Sequence, residues 1–65
     1  MSDISKKVLE FLQANFENSS FIRKELISNG FSEAEVTTAL KELEENGYIY
    51  VGKTYVNGTP AYALL

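Results

Sequence analysis

The chain has 65 residues, six basic and nine acidic side chains, a formal charge of −3, and neither histidine nor cysteine. A chain this short makes one small domain that buries only about 60% of the surface its unfolded form exposes, which leaves little room for a deep catalytic cleft. Lack of cysteine excludes disulfides, zinc-thiolate sites and iron–sulfur clusters, while lack of histidine removes the commonest general base and metal ligand, so no catalytic residue, metal or cofactor is expected.

Asp3, Lys6, Lys7 and Glu10 interrupt the start of the chain, unlike a signal peptide. The longest apolar run, Ala61 to Leu65, is far below the ~20 residues of a membrane span. A cytoplasmic protein with no membrane partner is the expectation. Its 45% apolar and 12% aromatic content is that of a folded chain.

Ile4, Val8, Leu9, Phe11, Leu12 and Phe16 recur at intervals of three and four, which predicts an amphipathic helix over about 4–16. Asn18, Ser19 and Ser20 supply turn chemistry after it. A second helix over about 21–29 carries Phe21, Ile22, Leu26 and Ile27 on its apolar side and closes at Asn29-Gly30, where glycine tolerates a left-handed cap. The third, over about 32–46, has the best-marked start. Ser32 and Glu35 fit a capping box, and Phe31 and Val36 fit a hydrophobic staple. Its buried stripe is Val36, Ala39, Leu40 and Leu43, and Asn46-Gly47 ends it. Since only Phe31 and Ser32 separate Gly30 from this helix, the two must cross steeply, as in a helix-turn-helix.

After Gly47 the period changes to two. Asn57-Gly58 is a strong hairpin signal, and it predicts strands over about 48–56 and 59–64. With those two residues as the loop, Val56 faces Thr59, Tyr55 faces Pro60, Lys53 faces Tyr62 and Val51 faces Leu64. Ile49, Val51, Tyr62 and Leu64 then share one face. Gly52 suits a bulge or bend. Pro60, having no N–H to donate, asks for an exposed start to the second strand.

The α+β order of three helices followed by a two-stranded antiparallel hairpin, read together with the residues themselves, resembles the winged helix-turn-helix superfamily of small transcriptional regulators. The stretch from Val36 through Ala39, Leu40 and Leu43 to Gly47, Tyr48 and Ile49 is similar to that family's recognition-helix phrase, and Gly58-Thr59-Pro60-Ala61-Tyr62 to the return strand of its wing. The resemblance implies duplex DNA as partner, with Ser32, Glu33, Thr37, Thr38, Lys41 and, marginally, Glu42 facing the major groove. It places Lys53, Thr54, Tyr55, Asn57 and Thr59 on the wing. Arg23 and Lys24, and Lys6 and Lys7, would add phosphate contacts. Nucleoid association would follow.

Charge opposes this implication. Residues 32–46 carry −4 and the other fifty carry +1, whereas a basic face is the usual footprint of phosphate binding. Glu33 and Glu35 suit a first turn, but Glu42, Glu44 and Glu45 sit in a last turn where the helix dipole disfavours them by roughly 0.3–1 kcal/mol each. Two functions therefore stand side by side. One is a DNA-binding transcriptional regulator, for which a homodimer would supply a second half-site. The other is a protein–protein interaction module using Glu42, Glu44, Glu45, Tyr48 and Tyr50. An enzyme is the poorest fit, because adjacent carboxylates on an open helix face have no pocket to shift their pKa values.

Overall fold

The computed structural model describes residues 1–56 and 58–65, excluding the side chains of 54–56. Three helices, α1 (Asp3–Asn15), α2 (Arg23–Ser28) and α3 (Glu33–Glu45), precede an antiparallel hairpin of β1 (Ile49–Val56) and β2 (Thr59–Leu64). The core is drawn from the three helices and β1, with Tyr62 and Leu64 of β2 packed against it: Val8 and Leu12 of α1, Leu26 of α2, Val36, Ala39, Leu40 and Leu43 of α3, Ile49 of β1, and Phe21 from the connection between α1 and α2. Full burial of a leucine or valine side chain contributes about 1.5–3 kcal/mol, so this cluster is the main stabilising element.

Each helix boundary is chemically marked. Ser2 caps α1, its Oγ accepting from the Ser5 N–H at 3.4 Å. Ser32 and Glu35 form the expected capping box on α3, with bonds of 3.1 and 2.9 Å. α2 begins at Arg23, where Glu25 reaches back to the Ile22 N–H at 3.2 Å. All three helices end on an asparagine whose side chain donates to the carbonyl four residues earlier: Asn15 to Phe11, Asn29 to Glu25 and Asn46 to Glu42.

α2 and α3 then stop identically. The Gly30 and Phe31 N–H groups return to the Ile27 and Leu26 carbonyls, and those of Gly47 and Tyr48 to the Glu44 and Leu43 carbonyls. These are two Schellman turns, satisfying carbonyls the helices would otherwise leave open. The left-handed φ values of Gly30 and Gly47, 102° and 78°, explain the residue type.

Phe21 departs from expectation. Its spacing to Leu26 suggests a helical position, yet Phe21 and Ile22 are extended. Phe21 bridges β2, its N–H donating to the Tyr62 carbonyl and its carbonyl accepting from the Tyr62 N–H, both at 2.8 Å. The ring is buried and stacks on Tyr62 with centroids 5.7 Å apart. It begins a continuous aromatic row: Phe21 meets Phe16 at 5.6 Å, Phe16 meets Phe11 at 6.1 Å, and Phe11 meets Phe31 edge-on at 5.7 Å. The row runs from the sheet along the end of α1 to the α2–α3 turn, and each such pair contributes about 0.5–1.5 kcal/mol beyond area burial.

The hairpin follows the expected register only near its turn. Val56 pairs with Thr59 and Tyr55 with Pro60, and Gly58 has the expected positive φ of 77°; Asn57 lies outside the described residues. Below these pairs Gly52, Lys53 and Thr54 stand opposite Ala61 alone, so Val51 pairs with Tyr62 and Ile49 with Leu64. The expected pairs Lys53–Tyr62 and Val51–Leu64 are thus displaced by two residues. An even offset keeps strand faces in phase, so Ile49, Tyr62 and Leu64 still pack on the core, whereas Val51, expected on that same face, is 39% exposed. Gly52 does lie in the irregular stretch, as its residue type suggests. Pro60 is half-buried and precedes the Tyr62 position where β2 gains a second neighbour in Phe21.

Candidate functional site

Helical geometry sorts the side chains of α3 onto four sides. Val36, Ala39, Leu40 and Leu43 face the core. Residues spaced four, three and four apart lie above one another on the opposite side, and these are Ala34, Thr38, Lys41 and Glu45, all exposed. Between stripe and row lie two flanks, and on each a side chain is held by a neighbouring helix.

On the α2 flank, Thr37 Oγ1 accepts a 2.8 Å hydrogen bond from Nη2 of Arg23, whose second Nη2 hydrogen reaches the Glu33 carbonyl at 3.4 Å. This contact spans the tight α2–α3 turn. Among the described residues nothing accepts from Nε–H or the two Nη1 hydrogens of this positioned, planar guanidinium, which leaves them for an outside acceptor. Lys24, next on α2, is exposed.

On the α1 flank, Glu42 closes over the start of α1. Its Oε1 accepts from the Ser2 hydroxyl at 2.6 Å, from the Ser2 N–H at 3.1 Å and from the hydroxyl of Ser5. Ser5 is fully buried, the one buried polar residue among those described, and its hydroxyl is satisfied by this bond. The Ser2 hydroxyl, then that of Ser5 and the Ser2 N–H, hold the Glu42 carboxyl at a pKa of about 2 instead of the ordinary 4.5. The negative charge also sits at the positive end of the α1 dipole.

The sequence-derived candidates accordingly separate. Thr38 and Lys41 share the outward row, while Thr37 is turned to Arg23, the Ser32 hydroxyl is committed to the cap and Glu42 is committed to α1. Glu33 and Glu44 are exposed on the α2 side of the helix. Lys53 is exposed on β1, and Thr54, Tyr55 and Asn57 lie outside what is described of side chains. Tyr48 and Tyr50 are 44% and 47% exposed. Two of the five α3 carboxylates thus have internal partners, Glu35 in the cap and Glu42 on α1. Hydrogen bonding does not neutralise them, so α3 keeps its charge of −4, but the outward row itself balances Lys41 against Glu45.

Among the described residues no cluster of His, Cys, Asp or Glu is placed to hold a metal ion, and no helix is long and apolar enough to cross a membrane. No family model, curated protein or solved structure matches this chain.

Proposed function

We propose that the chain is a winged helix-turn-helix domain that binds duplex DNA and acts as a small transcriptional regulator. The observation that carries this reading is the Arg23–Thr37 hydrogen bond, which braces α2 against α3 and sets a guanidinium with three uncommitted donors beside the exposed row of α3. A planar donor fork of this kind suits a phosphate, and the row beside it is narrow, with only small or flexible side chains to enter a major groove. Arg23, Lys24, Lys41 and Lys53 act on the backbone, and Thr38 and Lys41 are the side chains left for base edges.

So few base contacts predict weak, largely sequence-independent binding. In a fluorescence-anisotropy titration of a mixed-sequence duplex at low salt, four cations should give log Kd a dependence on log salt with a slope of about 3.5. Arg23→Gln should lower that slope by about 0.9. Absence of binding at high micromolar protein would overturn the reading. The interaction-module alternative loses part of its basis on α3, because Glu42 is spent inside the molecule, but it keeps Glu44, Glu45 and the two exposed tyrosines.

A further inference from the structure

Two adjoining concavities, of about 320 and 330 Å³, lie where the end of α1 meets the base of the hairpin. Glu17 and Leu64 line both. The lining of the first includes Gly47, Tyr48 and Leu65, and that of the second includes Tyr50 beside the polar 18–20 segment. Together they form one bent groove, and it holds three of the most exposed large apolar side chains of the described residues: Tyr48, Tyr50 and Leu65, the last at 78%.

The groove has a definite electrostatic sign. Glu17 is the charged residue lining it and is exposed. Unlike Glu25, Glu35 and Glu42, it accepts no hydrogen bond from the described residues. α1 ends at Asn15, just before Glu17, and α3 ends just before Gly47, and neither helix has a basic residue in its last turn to offset the partial negative charge of its C-terminal carbonyls. Two phenol rings add π faces that attract cations within about 6 Å. The Glu17 carboxylate and two aromatic faces, beside helix ends that carry no basic residue, repel phosphate and favour a cation, while Leu64 and Leu65 offer an apolar shelf beside them.

We infer that this groove binds a basic segment of a protein partner, an arginine or lysine followed or preceded by an apolar residue. The cation sits against Glu17 and the tyrosines, and the apolar neighbour covers the leucines. This surface is distinct from the row on α3 and does not depend on DNA binding by that row.

The test is an NMR titration of the folded chain at low salt with acetyl-Leu-Arg-Leu-Arg-amide, followed at the backbone amides of Glu17, Gly47, Tyr48 and Leu65, with acetyl-Leu-Gln-Leu-Gln-amide as the uncharged control. Saturable shifts confined to these amides with the arginine peptide, weakened about threefold to fivefold by Glu17→Gln and about threefold by Tyr50→Ala, are expected. Both side chains are exposed, so a thermal melt should show the variants folding as the parent does. Equal shifts with the glutamine peptide, no localised shifts with either, or shifts at the same amides on raising the concentration of the protein alone would each overturn the proposal. The last would assign the groove to a second copy of the chain.

Discussion

The helical half of the molecule and its hairpin are held together on different terms. In the helices the ends carry local partners: Ser2, Ser32 and Glu25 at the starts, three asparagines and two Schellman glycines at the stops. Among the described residues the hairpin meets the core through its base, at Ile49, Tyr62 and Leu64, with Ala61 also buried, while Tyr55 and Val56 pair with Pro60 and Thr59 of the hairpin itself. Mutations in the first half should therefore cost stability, and those in the second should alter binding while the fold survives.

The seam between the halves is where this contrast is most easily broken. Phe21→Ala removes the buried ring that joins the aromatic row to Tyr62, and should destabilise by about 3–5 kcal/mol in urea unfolding, close to the whole stability of so small a domain. Val51→Ala, on the surface of β1, should cost less than about 1 kcal/mol. Equal losses for the two would show that the hairpin is integral to the core after all. Next in size is Gly47→Ala. Nothing lies within 4 Å of a Cβ placed there, so the cost is conformational, about 1–2 kcal/mol by the same measurement.

A third effect is a matter of pH. Glu42 has its pKa lowered in the folded state, so its contribution is complete above 4.5 and disappears as pH falls through about 2. Thermal melts between those limits should fall more steeply for the parent than for Glu42→Gln, whose side chain cannot titrate. The smallest effect is expected at the hairpin: Lys53→Gln should leave the melting temperature unchanged, weaken duplex binding about twofold to threefold, and lower the salt slope by about 0.9.

Local chemistry was the legible part of this molecule. Capping boxes and Asn-Gly stops act over four or five residues, so Ser32, Glu35, Gly30 and Gly47 could be placed from the chain itself. Contacts across long separations were not legible. The Phe21–Tyr62 bridge spans 41 positions, and an apolar residue five before Leu26 looks like part of the same helix until its partner is seen. The Glu42 contacts with Ser2 and Ser5 and the Arg23–Thr37 contact depend on how the helices cross, which composition and periodicity do not encode. This is why the five α3 carboxylates could be counted along the chain while the commitment of Glu42 to Ser2 and Ser5 could not. The inner half of the hairpin register failed for a related reason: a turn specifies the pairs beside it, and the stretch at Gly52–Thr54 resets those further away.

That reset has a consequence for how the domain can vary. Because the surplus in β1 is two residues, the pleat returns to phase before it reaches the core, and the inward and outward faces at Ile49 and Tyr62 are kept. Arm length and packing are thereby uncoupled by parity. Two residues inserted into or deleted from each strand beyond Gly52 would change how far the hairpin reaches without turning its base inside out, whereas a one-residue change in a single strand would put the two strands' faces out of phase. The reach of the arm can be tuned in steps of about 7 Å, the rise of two strand residues, with the helices left as they are.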